Sequence, residues 1–115
     1  MNLKILEIKL KRAEIIKNWR KYIEKLKRSV REVLNDAEIY IFGSIVESKA
    51  VGASDIDILI VSSKIPQKTR DKIDIIMKIE EKLNLPLYHP FEFHLATPEQ
   101  AKFYFKHCKK MLKIT

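Results

Sequence analysis

Two stretches decide the fold: IYIFGS at residues 39–44 and DIDILIV at residues 55–61, with ten residues between them. Each is an apolar run of the length and composition of a buried strand. Side chains alternate between the two faces of a strand, so Asp55 and Asp57 point the same way. Because neighbouring carboxylates repel each other unless a cation lies between them, the second stretch predicts a site for a hard ion, Mg²⁺ or Mn²⁺.

The end of the first stretch has the composition of a phosphate-binding turn. Gly43 frees the backbone to turn sharply, and Ser44 offers a hydroxyl beside exposed N–H groups. A phosphate site next to a metal site is typical of proteins that bind nucleotides. The two stretches together therefore predict a nucleotide site.

The N-terminal segment, residues 1–34, is the longest periodic part of the chain. Apolar residues recur at three-and-four spacing over residues 3–34, and no Gly or Pro interrupts them. One long helix or two abutting helices both fit this pattern. A single helix would span roughly 50 Å at 1.5 Å per residue, more than so small a domain can cover. We therefore expect part of it to project and pack on another chain, including a second copy of this one.

The remaining elements follow from turn and capping signals. Thr97 can cap a helix whose first residue is Pro98, and Gln100 can complete a capping box. We expect a strand at 38–42, a short helix at about 44–49, a turn at 51–54, a strand at 55–61, a helix at 69–83, an irregular segment at 84–90, a strand at 91–95 and a last helix from 97 to about 112. The predicted fold class is α/β: a small mixed sheet of three or more strands, with helices packed on it in the order α-β-α-β-α-β-α.

Length and composition favour one domain over residues 1–115. No apolar run approaches the roughly 20 residues of a membrane span, and the N-terminus does not resemble a signal peptide. A lone cysteine, Cys108, cannot form an internal disulfide, which fits the cytoplasm, and we expect it to be a packed side chain and not a nucleophile.

The net charge of +8 belongs to the N-terminal segment. Residues 1–31 hold eleven Lys or Arg against three Glu, whereas the rest of the chain is balanced. The favoured interpretation is the solvated face of an amphipathic helix. An RNA-binding surface is the alternative, but no nucleic-acid-binding signature accompanies the charge, so we do not expect a nucleic acid as partner.

A third carboxylate lies in the stretch FEFHL at residues 91–95. Glu92 shares a strand face with His94, while the phenylalanines take the other face. This pattern fits an edge strand with a solvated polar face. The alternative is that Glu92 joins Asp55 and Asp57 across the sheet, because three carboxylates on neighbouring strands can form a two-metal site.

The order Gly-Ser, ten residues, Asp-x-Asp, then an acid between apolar residues on a later strand resembles the minimal nucleotidyltransferases of the DNA polymerase beta superfamily. The resemblance covers about residues 38–95. It implies that Gly43 and Ser44 hold nucleotide phosphates, that Asp55 and Asp57 bind both metal ions, and that Glu92 binds the catalytic ion and helps to deprotonate the acceptor hydroxyl.

The resemblance also implies a reaction and partners. A nucleoside monophosphate, most plausibly AMP from ATP, would move to an acceptor hydroxyl with Mg²⁺ or Mn²⁺ as cofactor. Small stand-alone members resemble antitoxins that add AMP to a tyrosine of a HEPN-type toxin. The family often has Arg-x-Arg-Gly after Gly-Ser, but this chain has Ile45, Glu47 and Ser48 at the altered places. An antitoxin that binds its partner with a weak or inactive site is therefore the alternative.

Overall fold

A four-stranded mixed sheet forms the centre of the computed structural model, which describes residues 2–47 and 55–114. The strands are β1 (Glu38–Phe42), β2 (Ile56–Val61), β3 (Phe91–Ala96) and β4 (Met111–Lys113), in the order β3-β2-β1-β4. β1 is antiparallel to both β2 and β4, whereas β2 and β3 are parallel. The predicted α/β class with a mixed sheet is confirmed.

The N-terminal segment is a pair of helices, α1 (Leu3–Lys17) and α2 (Ile23–Val33), joined by a 3₁₀ turn at Trp19–Tyr22. Asn18 ends α1, and its backbone and side-chain N–H groups both donate to the Glu14 carbonyl at 3.0 Å. The Asn18 side chain thus adds a hydrogen bond at the end of α1. The sequence has no Gly or Pro here, so it did not indicate where the helix ends.

The first half of α1 is exposed, with Leu3 81% accessible. A chain that covers this half stays a prediction. None of the helices in the described residues is long and apolar enough to cross a membrane.

Helices cover both faces of the sheet, but to different extents. One face packs against α2 and α3 (Thr69–Leu83) through a large apolar core that includes Leu26, Val30, Ile41, Ile58, Ile79 and Leu83. The other face packs against α4 (Pro98–His107) through a small cluster formed by Leu59, Val61, Ala96 and Ala101. β2 is therefore buried on both faces, as its apolar composition predicts. On this same face, nearer the starts of β2 and β3, lie the polar side chains of Asp57, Glu92 and His94.

Several predicted elements are confirmed and two are wrong. The bounds of β1 and α3 and the capping box at Thr97 are as predicted. The last helix does not reach residue 112: it ends at His107, and β4 follows, pairing Met111 with Phe42. Pairing with the open edge of β1 satisfies that strand's backbone groups, which a helical continuation would leave unpaired.

The short helix predicted at 44–49 is also wrong where the structure describes it. Residues 44–47 form a hydrogen-bonded turn in which the Gly43 carbonyl accepts from the N–H groups of Val46 and Glu47, both at 3.2 Å. The rest of that prediction, and the turn predicted at 51–54, lie outside the described residues. The observed order of elements is α-α-β-β-α-β-α-β.

Asp36 joins the start of β1 to the end of β2. Its carboxylate accepts hydrogen bonds from the Ser62 hydroxyl at 2.5 Å, the Ser63 hydroxyl at 2.6 Å and the Ser63 N–H at 3.0 Å. These donors favour the charged form and lower the pKa of Asp36 to about 2. The ionised carboxylate therefore holds these two strand ends together.

We expect Asp36→Asn to lower the melting temperature by roughly a few degrees near neutral pH, because an amide cannot accept from all three donors. The folded-state pKa is depressed, so the stabilisation is present above the unfolded-state pKa of roughly 4 and is lost as the pH falls through about 2. Thermal melts of both proteins across this range should show the difference shrinking toward about pH 2. A difference that does not depend on pH would contradict this role.

Candidate metal and nucleotide site

Gly43 turns the chain directly over Asp57. β1 ends at Phe42, whose register partner on β2 is Asp57, and Gly43 then adopts a φ of +86°. A Cβ on Gly43 would overlap Asp57 Oδ2 and lie 3.3 Å from its Cγ. Both the backbone conformation and the close approach therefore require glycine here. The same turn places the backbone of the predicted phosphate-binding residues, Gly43 and Ser44, beside a carboxylate.

Asp57 and Glu92 are neighbours because β2 and β3 are parallel and pair these two residues directly. His94 lies two residues further along the same face of β3. Its Nε2 is 3.1 Å from Asp57 Oδ1 and 3.9 Å from Glu92 Oε1, and one potential ligand atom from each residue lies within 4.8 Å of the others. The Asp57 side chain is 25% exposed and that of Glu92 is 53% exposed. This is an open cluster of oxygen and nitrogen donors that fits a divalent cation after small side-chain movements.

The His94 ring is held by aromatic neighbours. Its centroid lies 5.2 Å from the Phe42 ring and 6.1 Å from the Tyr104 ring of α4. With the ring fixed, Nε2 can donate to Asp57 or serve as a nitrogen ligand. The two-residue spacing in the sequence predicts that His94 shares a face with Glu92, but it does not indicate that His94 is a ligand.

Asp55 is placed differently from the other two predicted ligands. It precedes β2, its side chain is 54% exposed, and its Oδ1 forms an ion pair with Arg12 of α1. The cluster of Asp57, Glu92 and His94 does not include it. The structure thus brings two of the three predicted carboxylates together and engages the third with a cation. Nothing in the sequence pointed to Arg12, because the partners are 43 residues apart.

Cys108, at the end of α4, lies near the same cluster. Burial raises the pKa of the Cys108 thiol, and the negative charges of Asp57 and Glu47 raise it further. A thiol in this environment stays protonated and is a poor nucleophile. The expectation that Cys108 is not a nucleophile therefore agrees with its surroundings.

We expect Mn²⁺ to raise the melting temperature of the wild-type protein by several degrees at saturation, since an ion that binds only the folded state stabilises it. Asp57→Asn should abolish the rise. His94→Phe should shift the Mn²⁺ dependence to concentrations about tenfold higher, because partners that orient a ligand contribute to metal affinity by such factors.

Glu99→Gln is the matched control. Glu99 is an exposed carboxylate that pairs with Lys102 at 3.0 Å near the start of α4, beyond the other end of β3. It should respond to Mn²⁺ like wild type. An equal response of Asp57→Asn and Glu99→Gln would show that the ion binds elsewhere.

Comparison with known proteins shows the family to which the chain belongs. The family model of the nucleotidyltransferase domain matches residues 23–115. A crystal structure of a proposed nucleotidyltransferase is similar with a TM-score of 0.63 and 32% identity, over 80% of this chain and 96% of the other. A second such structure, from Sulfolobus solfataricus, has a TM-score of 0.54 and 17% identity over 94% and 83% of the two chains, which shows the fold alone. No curated protein matches.

Proposed function

Because this chain belongs to the nucleotidyltransferase domain family, we propose that it transfers a nucleoside monophosphate from a nucleoside triphosphate to a hydroxyl group in a metal-dependent reaction. The observation that carries the proposal is the pairing of Asp57 with Glu92 on parallel strands, directly below the Gly43 turn. Carboxylates beside an open backbone turn provide metal ligands and phosphate ligands at one place. Both are needed to hold a metal–triphosphate complex.

The residues of the site have separate roles in this proposal. Asp57 and Glu92, joined by Asp55 once its carboxylate is released from Arg12, would hold Mg²⁺ or Mn²⁺. A bound ion supplies positive charge that stabilises the phosphates at the reacting centre. Gly43 and Ser44 would bind the terminal phosphates through backbone N–H groups and the hydroxyl. Glu92, the more exposed of the two paired carboxylates, faces the solvent from which an acceptor would arrive.

The chemical step is an in-line displacement. The acceptor oxygen forms a bond to the α-phosphorus while the bond from that phosphorus to the bridging oxygen breaks, and pyrophosphate leaves with the electron pair. The acceptor proton passes to Glu92 and then to water. The position of Glu92 beside Asp57, with a half-exposed side chain, supports this role.

The finer parts of the proposal come from the resemblance to minimal nucleotidyltransferases. ATP would be the donor and AMP the transferred group. The acceptor would be a tyrosine of a HEPN-type toxin in the cytoplasm, with this chain as the antitoxin. The exposed, basic α1 offers a surface on which such a partner or a second copy could pack.

A binding antitoxin with a weak site is the second candidate. Two observations favour it: Asp55 is engaged by Arg12, and residues 44–47 contain an acid, Glu47, but no Lys or Arg. Arg12 competes with a metal ion for Asp55, and a segment without Lys or Arg attracts a triphosphate less strongly. In that case the protein would neutralise a partner by forming a complex and would transfer nothing.

Label transfer separates the two candidates. We expect the wild-type protein with Mn²⁺ or Mg²⁺ to move label from α-³²P-ATP, but not from γ-³²P-ATP, to an acceptor protein that co-purifies with it. Asp57→Asn and Glu92→Gln should each reduce transfer at least about a hundredfold, because each removes a predicted metal ligand. The control Glu99→Gln should transfer like wild type.

Two results would contradict the enzyme. Label arriving equally from α- and γ-labelled ATP would indicate a different reaction. Neutralisation of the partner by Asp57→Asn and Glu92→Gln proteins, without any transfer by wild type, would support the binding antitoxin instead.

A further inference from the structure

Arg12 brings a cation from α1 to the edge of the site. Its guanidinium pairs with Asp55, and its side chain is only 21% exposed, so it is packed at this position over most of its length. The family match begins at residue 23, and α1 (Leu3–Lys17) lies before it. An element outside the matched region therefore contacts a carboxylate that the family resemblance assigns to the metal ions.

The turn after Gly43 offers no basic side chain to a triphosphate within residues 44–47. A triphosphate carries about four negative charges. Its terminal oxygens need hydrogen-bond donors in addition to one or two divalent ions. The segment after Gly43, residues 44–47, contains Glu47 and no Lys or Arg, and the next cation in the sequence, Lys49, lies outside the described residues. The cation that a described contact places at the predicted ligands is Arg12.

We propose that Arg12 is a substrate-binding residue whose guanidinium contacts the phosphates of the bound nucleotide. The inference rests on the proposed function, since it assumes that a triphosphate enters this site. In the absence of substrate, Arg12 neutralises Asp55. A divalent ion held by Asp55 would release the guanidinium, which would then be able to donate to phosphate oxygens. α1 thereby supplies the positive charge that residues 44–47 lack.

The chemistry of the side chain supports this role. A guanidinium is always charged, and its planar fork matches phosphate oxygens as well as it matches a carboxylate. Because the stem of Arg12 is mostly covered, little side-chain freedom is lost when the guanidinium binds. Lys11 on the same helix pairs with Glu7 and has neither a planar fork nor a covered side chain.

The test is the affinity for α,β-methylene-ATP in the presence of Mn²⁺, measured by calorimetry on the full chain. We expect Arg12→Gln to raise the dissociation constant about tenfold to a hundredfold, the usual loss for a charge-assisted hydrogen bond to an ionised partner. Arg12→Lys, which keeps the charge but not the fork, should fall between Arg12→Gln and wild type. Lys11→Gln removes the same charge from the neighbouring position and should bind like wild type.

Mn²⁺ binding without nucleotide is measured on the same proteins. Arg12→Gln should bind the ion at least as tightly as wild type, because a competing cation has been removed from Asp55. Thermal melts show whether each variant is folded. If Arg12→Gln is too unstable to assay, Arg12→Lys decides the question, and affinity equal to wild type would overturn the proposal.

Each of the remaining experimental outcomes has a different meaning. Nucleotide affinity unchanged in Arg12→Gln would show that Arg12 is only a counter-ion of Asp55. Tighter nucleotide binding would show that Arg12 blocks the site, and weaker binding of Mn²⁺ alone would place its effect on the ion; each overturns the proposal. If wild type binds no nucleotide, the proposed function fails, and the role of Arg12 fails with it.

Discussion

The parallel pairing of β2 with β3 is the constraint on which the site depends. It sets Asp57 directly beside Glu92 and places His94 on the same face, close to both. Hydrophobic side chains enforce this register, because a shift by one residue would turn the buried isoleucines of β2 toward the wrong layer. The apolar core thus fixes where two like charges meet, and a divalent ion bound between them would offset their repulsion.

The Gly43 turn packs directly against the carboxylate of Asp57. A side chain at Gly43 would collide with Asp57, so the turn can approach the carboxylate only because no Cβ is present. Among the described residues, α4 is the helix that packs on this face, and the Glu92 side chain on β3 is 53% exposed. A tight backbone turn, a carboxylate pair and an open surface at one point are what a metal–nucleotide complex requires.

What the sequence could predict was local. The alternation of faces put Glu92 and His94 on one face of a strand, and Gly43 indicated the turn, because both depend on neighbours in the chain. The pairing of Glu92 with Asp57 was one of two alternatives that the strand pattern left open. Long-range contacts carried no such signal. The strand at Met111–Lys113 forms because β1 has an open edge, and the placement of Asp55 depends on Arg12, which lies 43 residues away. The periodicity of residues 3–34 could not show the break at Asn18, because the apolar pattern continues across it without Gly or Pro.

The central claim is that the Asp57–Glu92 pair binds the metal ion of a nucleotide complex below the Gly43 turn. Anomalous diffraction from crystals grown with Mn²⁺ and a non-hydrolysable triphosphate tests it most directly. We expect a manganese peak within direct coordination distance of both carboxylates, with the phosphates beside the backbone of Gly43. Manganese and nucleotide bound elsewhere, or a nucleotide bound with no ion at this pair, would contradict it.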